Sequence, residues 1–406
     1  MRVTIDSLGA KGDGVAITHA GPAYLPFTLP GEVVELEGTE ARPDFTLIAA
    51  SPERQSPACR HFTECGGCDL QHASETTYHA FKRGLVVAAL QRQGIEVEVA
   101  PLVPCAPASR RRVTLTAVRT GNRVLLGYNA ARSTRVVPIE TCPIAMPQIT
   151  AALPVLRRLA GLLIDRKRPL KLLVTMTAAG LDIAAEGAAR LSDTLRQQAV
   201  ALTLEAGVAR LSLGDEILVM ARAPFIDFAG VPVALPPGAF LQAVENAERA
   251  MAERVTTHLA GAKRVADFFS GCGTFSLRLA RQAAVNAVES DALALAVQDQ
   301  AHRQAQGLKP LTTERRDLFR RPVPAKEMAS FDAAVFDPPR AGAEGLAREL
   351  AASRIGRLAA VSCNPMTLAR DLKILVDGGY RIRSVTPIDQ FLWSHHVEVV
   401  ALLERG

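Results

Sequence analysis

From Arg264 to the end, the chain alternates short apolar runs with amphipathic ones. "RVADFF" precedes "TFSLRLARQ", "AVNAVES" precedes "DALALAVQDQAHRQAQ", "FDAAVFDPP" precedes "EGLARELAAS", and "LAAVSCNP" precedes "TLARDLKILVDGG". Two further strand-like runs close the chain, and a helical pattern over Leu241–Leu259 leads into it. Strand and helix in strict succession predict an α/β domain with a doubly wound, largely parallel sheet. Ligands of such sheets bind at the carboxyl ends of the strands, so the residues just after each apolar run are the candidates for chemistry.

The first half reads differently. Residues 1 to 50 are short strands broken by turn residues, the pattern of a small β-barrel. Residues 110 to 235 are mostly β with some helix, for instance Thr150–Leu163. Residues 101 to 172 hold 13 Arg or Lys against only Glu140 and Asp165, within a chain of net charge +6. A local excess of this kind, with Arg110-Arg111-Arg112 and Arg166-Lys167-Arg168, suits either a polyanion or a solvated basic face. Seven cysteines, an odd number, and no apolar leader after Met1 point to a reducing cytoplasm. No apolar run is long enough for a membrane span. In that compartment the cluster "CRHFTECGGCDLQH" is a candidate ligand set. Cys59, Cys65 and Cys68, with Cys142 as a distant fourth, suit tetrahedral zinc or an iron-sulfur cluster.

The run "DFFSGCGTF" puts a glycine turn, Gly271 and Gly273, between the first strand and its helix. The dinucleotide fingerprint needs a third glycine, and the position three after Gly273 is Ser276. Glu289, at the end of the second strand, suits the ribose hydroxyls of either NAD or S-adenosylmethionine. S-adenosylmethionine has no pyrophosphate and carries a sulfonium cation, which fits the acids Asp267, Glu289, Asp317 and Asp337 better.

Two side chains complete a reaction. Cys363 follows the apolar strand in "VSCNP", where a thiol is either a buried small hydrophobe or a nucleophile presented at the ligand edge. Glu398 lies inside an apolar strand, where an idle unpaired carboxylate is costly. A thiolate adding to carbon 6 of a pyrimidine makes carbon 5 nucleophilic towards a sulfonium methyl. A base must then remove the carbon 5 proton so that the thiol is eliminated. Cys363 is the expected nucleophile and Glu398 the expected base.

The motifs "GAFLQ", "DFFSGCGTFSLRLA", "DPPRAG", "SCNPMTLARDL" and "HHVEVVALLER", together with the cysteine cluster, occur in one order. On them, over nearly its whole length, the chain resembles the S-adenosylmethionine-dependent RNA 5-methyluridine methyltransferases. The likeness is to the bacterial branch that modifies 23S ribosomal RNA and carries a 4Fe-4S cluster. The resemblance implies three units: a TRAM-like RNA-binding barrel (1–55), a central domain with the cluster and a basic RNA-binding surface (56–240), and a class I, Rossmann-like methyltransferase domain (241–406). It implies Cys363 as nucleophile, Glu398 as base, and Gln242, Phe269, Thr274, Glu289, Asp317 and Asp337 around the methyl donor, with Asp337 alternatively at the uracil edge. Cys59, Cys65, Cys68 and Cys142 become the cluster ligands, and the protein a cytoplasmic monomer acting on RNA. Departures from the family pattern are Ser270, Val244, Ala360, Leu392 and Trp393. The rivals are a non-catalytic zinc-type RNA-binding protein, a transfer RNA methyltransferase, and a methyltransferase of DNA or a small molecule.

Overall fold

The computed structural model describes residues 1–37 and 43–406. Gly38, at the end of the expected N-terminal strand run, lies outside the described residues.

The expected parallel sheet is present. Seven strands lie in the order Leu311–Arg315, Ala284–Glu289, Arg264–Phe268, Ala333–Phe336, Arg357–Ser362, Glu398–Arg405 and Tyr380–Ile388. The first five are parallel, and Glu398–Arg405 runs antiparallel to both of its neighbours. Side-chain alternation explains why these strands read as unbroken apolar runs: Ala266, Phe268, Ala334 and Phe336 enter one core, and Val265, Ala333, Val335 and Val361 enter the other. The edge strand Leu311–Arg315 is mostly exposed and polar, which hid it from the hydrophobic pattern.

One of those cores draws on distant chain. Val86, Ala89, Leu90, Ile95, Val99 and Leu102 pack with Leu368, Leu372 and Tyr380. Val99 and Val103 form parallel bridges with Val385 and Ile388 of the outermost strand. Helix Glu75–Gln91, started by Ser74 accepting the Thr77 N–H, lies against helix Pro365–Asp377.

The basic middle segment forms a second seven-stranded sheet, with Leu170–Thr177 and Arg112–Thr120 at its centre. Helices Leu153–Leu163 and Asp193–Glu205 supply Leu156, Leu159, Ala160, Ala199 and Leu202 to its core. The expected single helix over Thr150–Leu163 is two helices, Pro147–Ala151 and Leu153–Leu163, with Pro154 in the first turn of the second. The N-terminal strands form two three-stranded antiparallel sheets around Ile5, Ala16, Leu25, Val34 and Leu36. Among the described residues these sheets do not hydrogen-bond into one closed barrel. No described helix is long and apolar enough to cross a membrane.

Candidate active site

Strand pairing creates the site. Ser362 faces Val399 across the antiparallel pair, so Cys363, one residue beyond the strand, and Glu398, at the start of its partner, fall side by side. Asp337 follows the neighbouring strand Ala333–Phe336 and joins them. Burial, with the Glu398 and Asp337 carboxylates close by, pushes the Cys363 thiol up to about 11, while the Arg340 guanidinium draws it down. Glu398 is 3% exposed. Burial and the Asp337 charge raise its carboxyl to about 8, and burial raises Asp337 to about 7. Such values suit groups that exchange protons near neutrality.

A line of amides connects the acids. Gln242 Nε2 donates to Asp337 Oδ2 at 3.1 Å, Gln390 Nε2 donates to Gln242 Oε1 at 2.7 Å, and the same nitrogen donates to Glu398 Oε1 at 2.6 Å. Glu398 Oε2 is buried with no hydrogen-bond partner. Gln242 reaches Asp337 because the expected helix from Leu241 starts only at Glu245, which leaves residues 241–244 outside the helix. Val244, where an asparagine was expected, turns into the apolar core, and the second buried amide of the site is Gln390.

The other expected donor residues line the same sheet edge. Glu289 Oε2 accepts the Gly271 N–H at 3.1 Å, and its Oε1 accepts those of Ser290 and Asp291. Gly273, at φ +99°, has no room for a side chain: a Cβ would stand 3.0 Å from Gln298 and Leu277. Phe269 holds a left-handed backbone at φ 62° and pairs with Phe319, ring centroids 5.5 Å apart. Asp317 Oδ1 accepts the N–H groups of Phe319 and Arg320. Thr274 sits in the turn, its carbonyl accepting from Arg278. Asp267, wholly buried and raised to about 7 by desolvation, accepts Ser276 Oγ–H and leaves Oδ1 unpartnered. Ser270 is buried and donates to Gln298.

Cys59, Cys65, Cys68 and Cys142 line one cavity of about 360 Å³ that extends to Arg340 and His396. Among the described residues, no three His, Cys, Asp or Glu form a group able to hold a metal ion. The cysteine segment also grips the loop leading to Glu398. Asp69 and Leu70 N–H both donate to the Trp393 carbonyl, and Asp69 Oδ2 accepts from His395 Nδ1 at 2.7 Å. His396, lowered to about 4 mainly by burial, is neutral and accepts from Arg340 at 3.1 Å. Leu392, in place of the expected proline, packs on Leu29, Leu70 and Tyr78. Ala360, in place of the expected tyrosine, is a buried strand residue.

The arginine run needs a correction. Arg111 is not part of a basic surface: it is buried, pairs with Glu248 at 2.5 Å and donates to the Gln242 carbonyl. Arg166, Lys167 and Arg168 are exposed as expected. Sequence reasoning also missed Gln390, Arg340 and Phe319. Arg340 was visible inside "DPPRAG", and Gln390 had no signal beyond its place eight residues before Glu398.

Residues 182–406 match the family described as tRNA (uracil-5-)-methyltransferase. An uncharacterized RNA methyltransferase of Brucella suis biovar 1 is 54% identical over 406 residues, covering 100% of this chain and 98% of the relative. A 23S rRNA (uracil(1939)-C(5))-methyltransferase of Pectobacterium atrosepticum is 31% identical, covering 99% of this chain and 93% of the relative. Among solved structures, the Pyrococcus abyssi tRNA (uracil-54, C5)-methyltransferase, in complex with S-adenosyl-L-homocysteine, superposes with a TM-score of 0.77 at 24% identity, covering 99% of each chain. A sheet edge that sets a thiol beside a buried glutamate, in a chain so matched from end to end, belongs to the RNA uracil-5-methyltransferase family.

Proposed function

We propose that the chain transfers the methyl group of S-adenosylmethionine to carbon 5 of a uridine in 23S ribosomal RNA, through a Cys363 adduct and proton removal by Glu398. The observation that carries this reading is the Ser362–Val399 pairing, which sets the thiol beside a buried carboxylate with one free oxygen. Arg340 favours the thiolate, which adds to carbon 6 of the uracil. Bound S-adenosylmethionine supplies the electrophilic methyl, which carbon 5 takes up. Glu398 then removes the carbon 5 proton, the carbon 5–carbon 6 double bond re-forms, and the bond to sulfur breaks with its electron pair returning to Cys363. Gln242, Phe269, Thr274, Glu289, Asp317 and Asp337 hold the donor, with acids facing its sulfonium charge.

The cysteine set is assigned a 4Fe-4S cluster. Each thiolate of such a cluster binds a different iron, and Cys59, Cys65, Cys68 and Cys142 all line one cavity. Burial and mutual repulsion hold the thiols of Cys59, Cys65 and Cys68 protonated, so a cationic centre bound there would have to displace their protons. A purified protein with zinc and no iron or sulfide would remove the cluster. Residues 1–55, 56–240 and 241–406 serve as the RNA-binding, cluster-bearing and catalytic units. One copy suffices, because thiol, base and donor residues all come from one chain, and its RNA substrate places it in the cytoplasm.

Ribosomal RNA is favoured over transfer RNA by the end-to-end match to the Pectobacterium enzyme together with the cysteine set. Mass spectrometric mapping of 5-methyluridine in ribosomal and transfer RNA, from cells with and without the gene, tests it. A methyl missing from one 23S site is expected, and one missing only from transfer RNA would move the substrate.

A further inference from the structure

We infer that Gln390 is a positioning residue that ties up one oxygen of Glu398 and so reserves the other, Oε2, for the carbon 5 proton. The inference rests on Glu398 being the base, as proposed above. The orientation of the amide is set by its surroundings. Gln390 Oε1 accepts the Ala243 N–H at 3.0 Å, and Nε2 donates to both Gln242 Oε1 and Glu398 Oε1. Turning the amide over would set its oxygen against two other oxygens and its NH2 group against an N–H, so only one orientation satisfies every atom.

This makes the two carboxylate oxygens unequal. Oε1 is the acceptor of a short hydrogen bond, whereas Oε2 is buried with no partner. A proton arriving on Oε1 would have to displace an N–H donor; on Oε2 it meets a free lone pair. The same amide stabilises the charged form of Glu398 against the burial that raises it. Gln390 therefore acts on proton removal, which follows methyl transfer, and besides this it steadies the donor residue Gln242. It has no comparable hold on Cys363 or on the earlier addition step. Backbone on both sides fixes it. Arg111 N–H donates to the Ala243 carbonyl, and Asp389, the preceding residue, is held by Lys82 Nζ at 2.6 Å and Tyr78 OH at 2.5 Å.

The test uses the full chain as purified, ribosomal RNA from cells lacking the gene, and S-adenosylmethionine with a labelled methyl group. Gln390→Met should lower turnover by about 10²-fold. RNA should become trapped in a denaturation-resistant adduct that already carries the label. KM for RNA should be unchanged, and the acid limb of product release should move to higher pH, since a base of higher pKa is ionised only at higher pH. Gln390→Glu keeps the shape, removes the NH2 donor and should trap the same adduct, which covers the case in which the methionine variant folds poorly. Glu398→Gln is the control. If it traps methylated adduct while neither Gln390 variant does, the inference is overturned and the base assignment stands. If Glu398→Gln traps none, both fall. Slower turnover with an unmoved pH limb and no labelled adduct would reduce Gln390 to a packing residue and overturn the inference.

Discussion

Cys363 and Cys68 are both thiols raised by burial, to about 11 and about 12, yet their neighbours differ in kind. Beside Cys363 stand the Glu398 and Asp337 carboxylates, which oppose its ionisation, and Arg340, a permanent cation that favours it. Around Cys68 the charged neighbours are Cys59, Cys65 and Cys142, each of which would oppose its ionisation. A neighbouring cation favours a reactive thiolate, whereas buried thiols that repel one another ionise readily only when a cation is brought to them. Of these two thiols, Cys363 alone has a cation among its charged neighbours, a difference that spacing in the sequence does not show.

The largest effect expected from that contrast is for Cys363→Ala. Methyl transfer should fall by on the order of 10⁴-fold or more, with no covalent RNA adduct and with iron content unchanged. Loss of iron from this variant would merge the two sulfur sites that the comparison keeps apart.

Next comes the anchor of the catalytic loop. Lys82 and Asp389 are both wholly buried, and removing one partner strands the other's charge. Lys82→Met should cost about 3–5 kcal/mol in denaturant unfolding. A cost near zero would mean that Tyr78 and the Phe391 N–H suffice for Asp389.

Cys68→Ser sharpens the link between the regions, because Cys68 directly precedes Asp69 and Leu70, which hold Trp393. On the cluster reading proposed above, iron and sulfide should be lost, and turnover should drop roughly tenfold through the loosened loop. Unchanged turnover in an iron-free variant would show that the loop holds without the cysteine site.

The smallest effect tests Glu398 as a strained group. Its folded pKa, about 8, lies above the ordinary 4.5, so the folded form loses stability as pH rises from about 4.5 towards 8, where only the unfolded chain ionises freely. Glu398→Gln should therefore raise the unfolding midpoint by roughly 1–4 °C near pH 8 and by less near pH 5. A stabilisation equal at both pH values would mean that the carboxyl titrates normally.

How much of this was legible in the sequence varied with the kind of information. The doubly wound sheet was plain, because strands buried on both faces leave apolar runs such as "LAAVSCNP". Cys363 was legible at the end of such a run and Glu398 as a carboxylate read inside one, although the strand in fact starts at Glu398 and only the register shows the two adjacent. Hidden were features that depend on three-dimensional pairing. Leu311–Arg315 is an edge strand without an apolar signature, Arg111 looked like its surface neighbours, and Gln390 gained its partners from the end of another segment. The N-terminal barrel was read from many short strands, a signal that gives strand number but not which strands pair.

The ion pair at the base of the catalytic loop also carries a timetable. Lys82 and Asp389 are 307 residues apart, so a ribosome making this chain releases the lysine long before the carboxylate it pairs with. Without Asp389, burying that ammonium on helix Glu75–Gln91 would be costly. Completing this part of the site therefore needs residues from opposite ends of the chain.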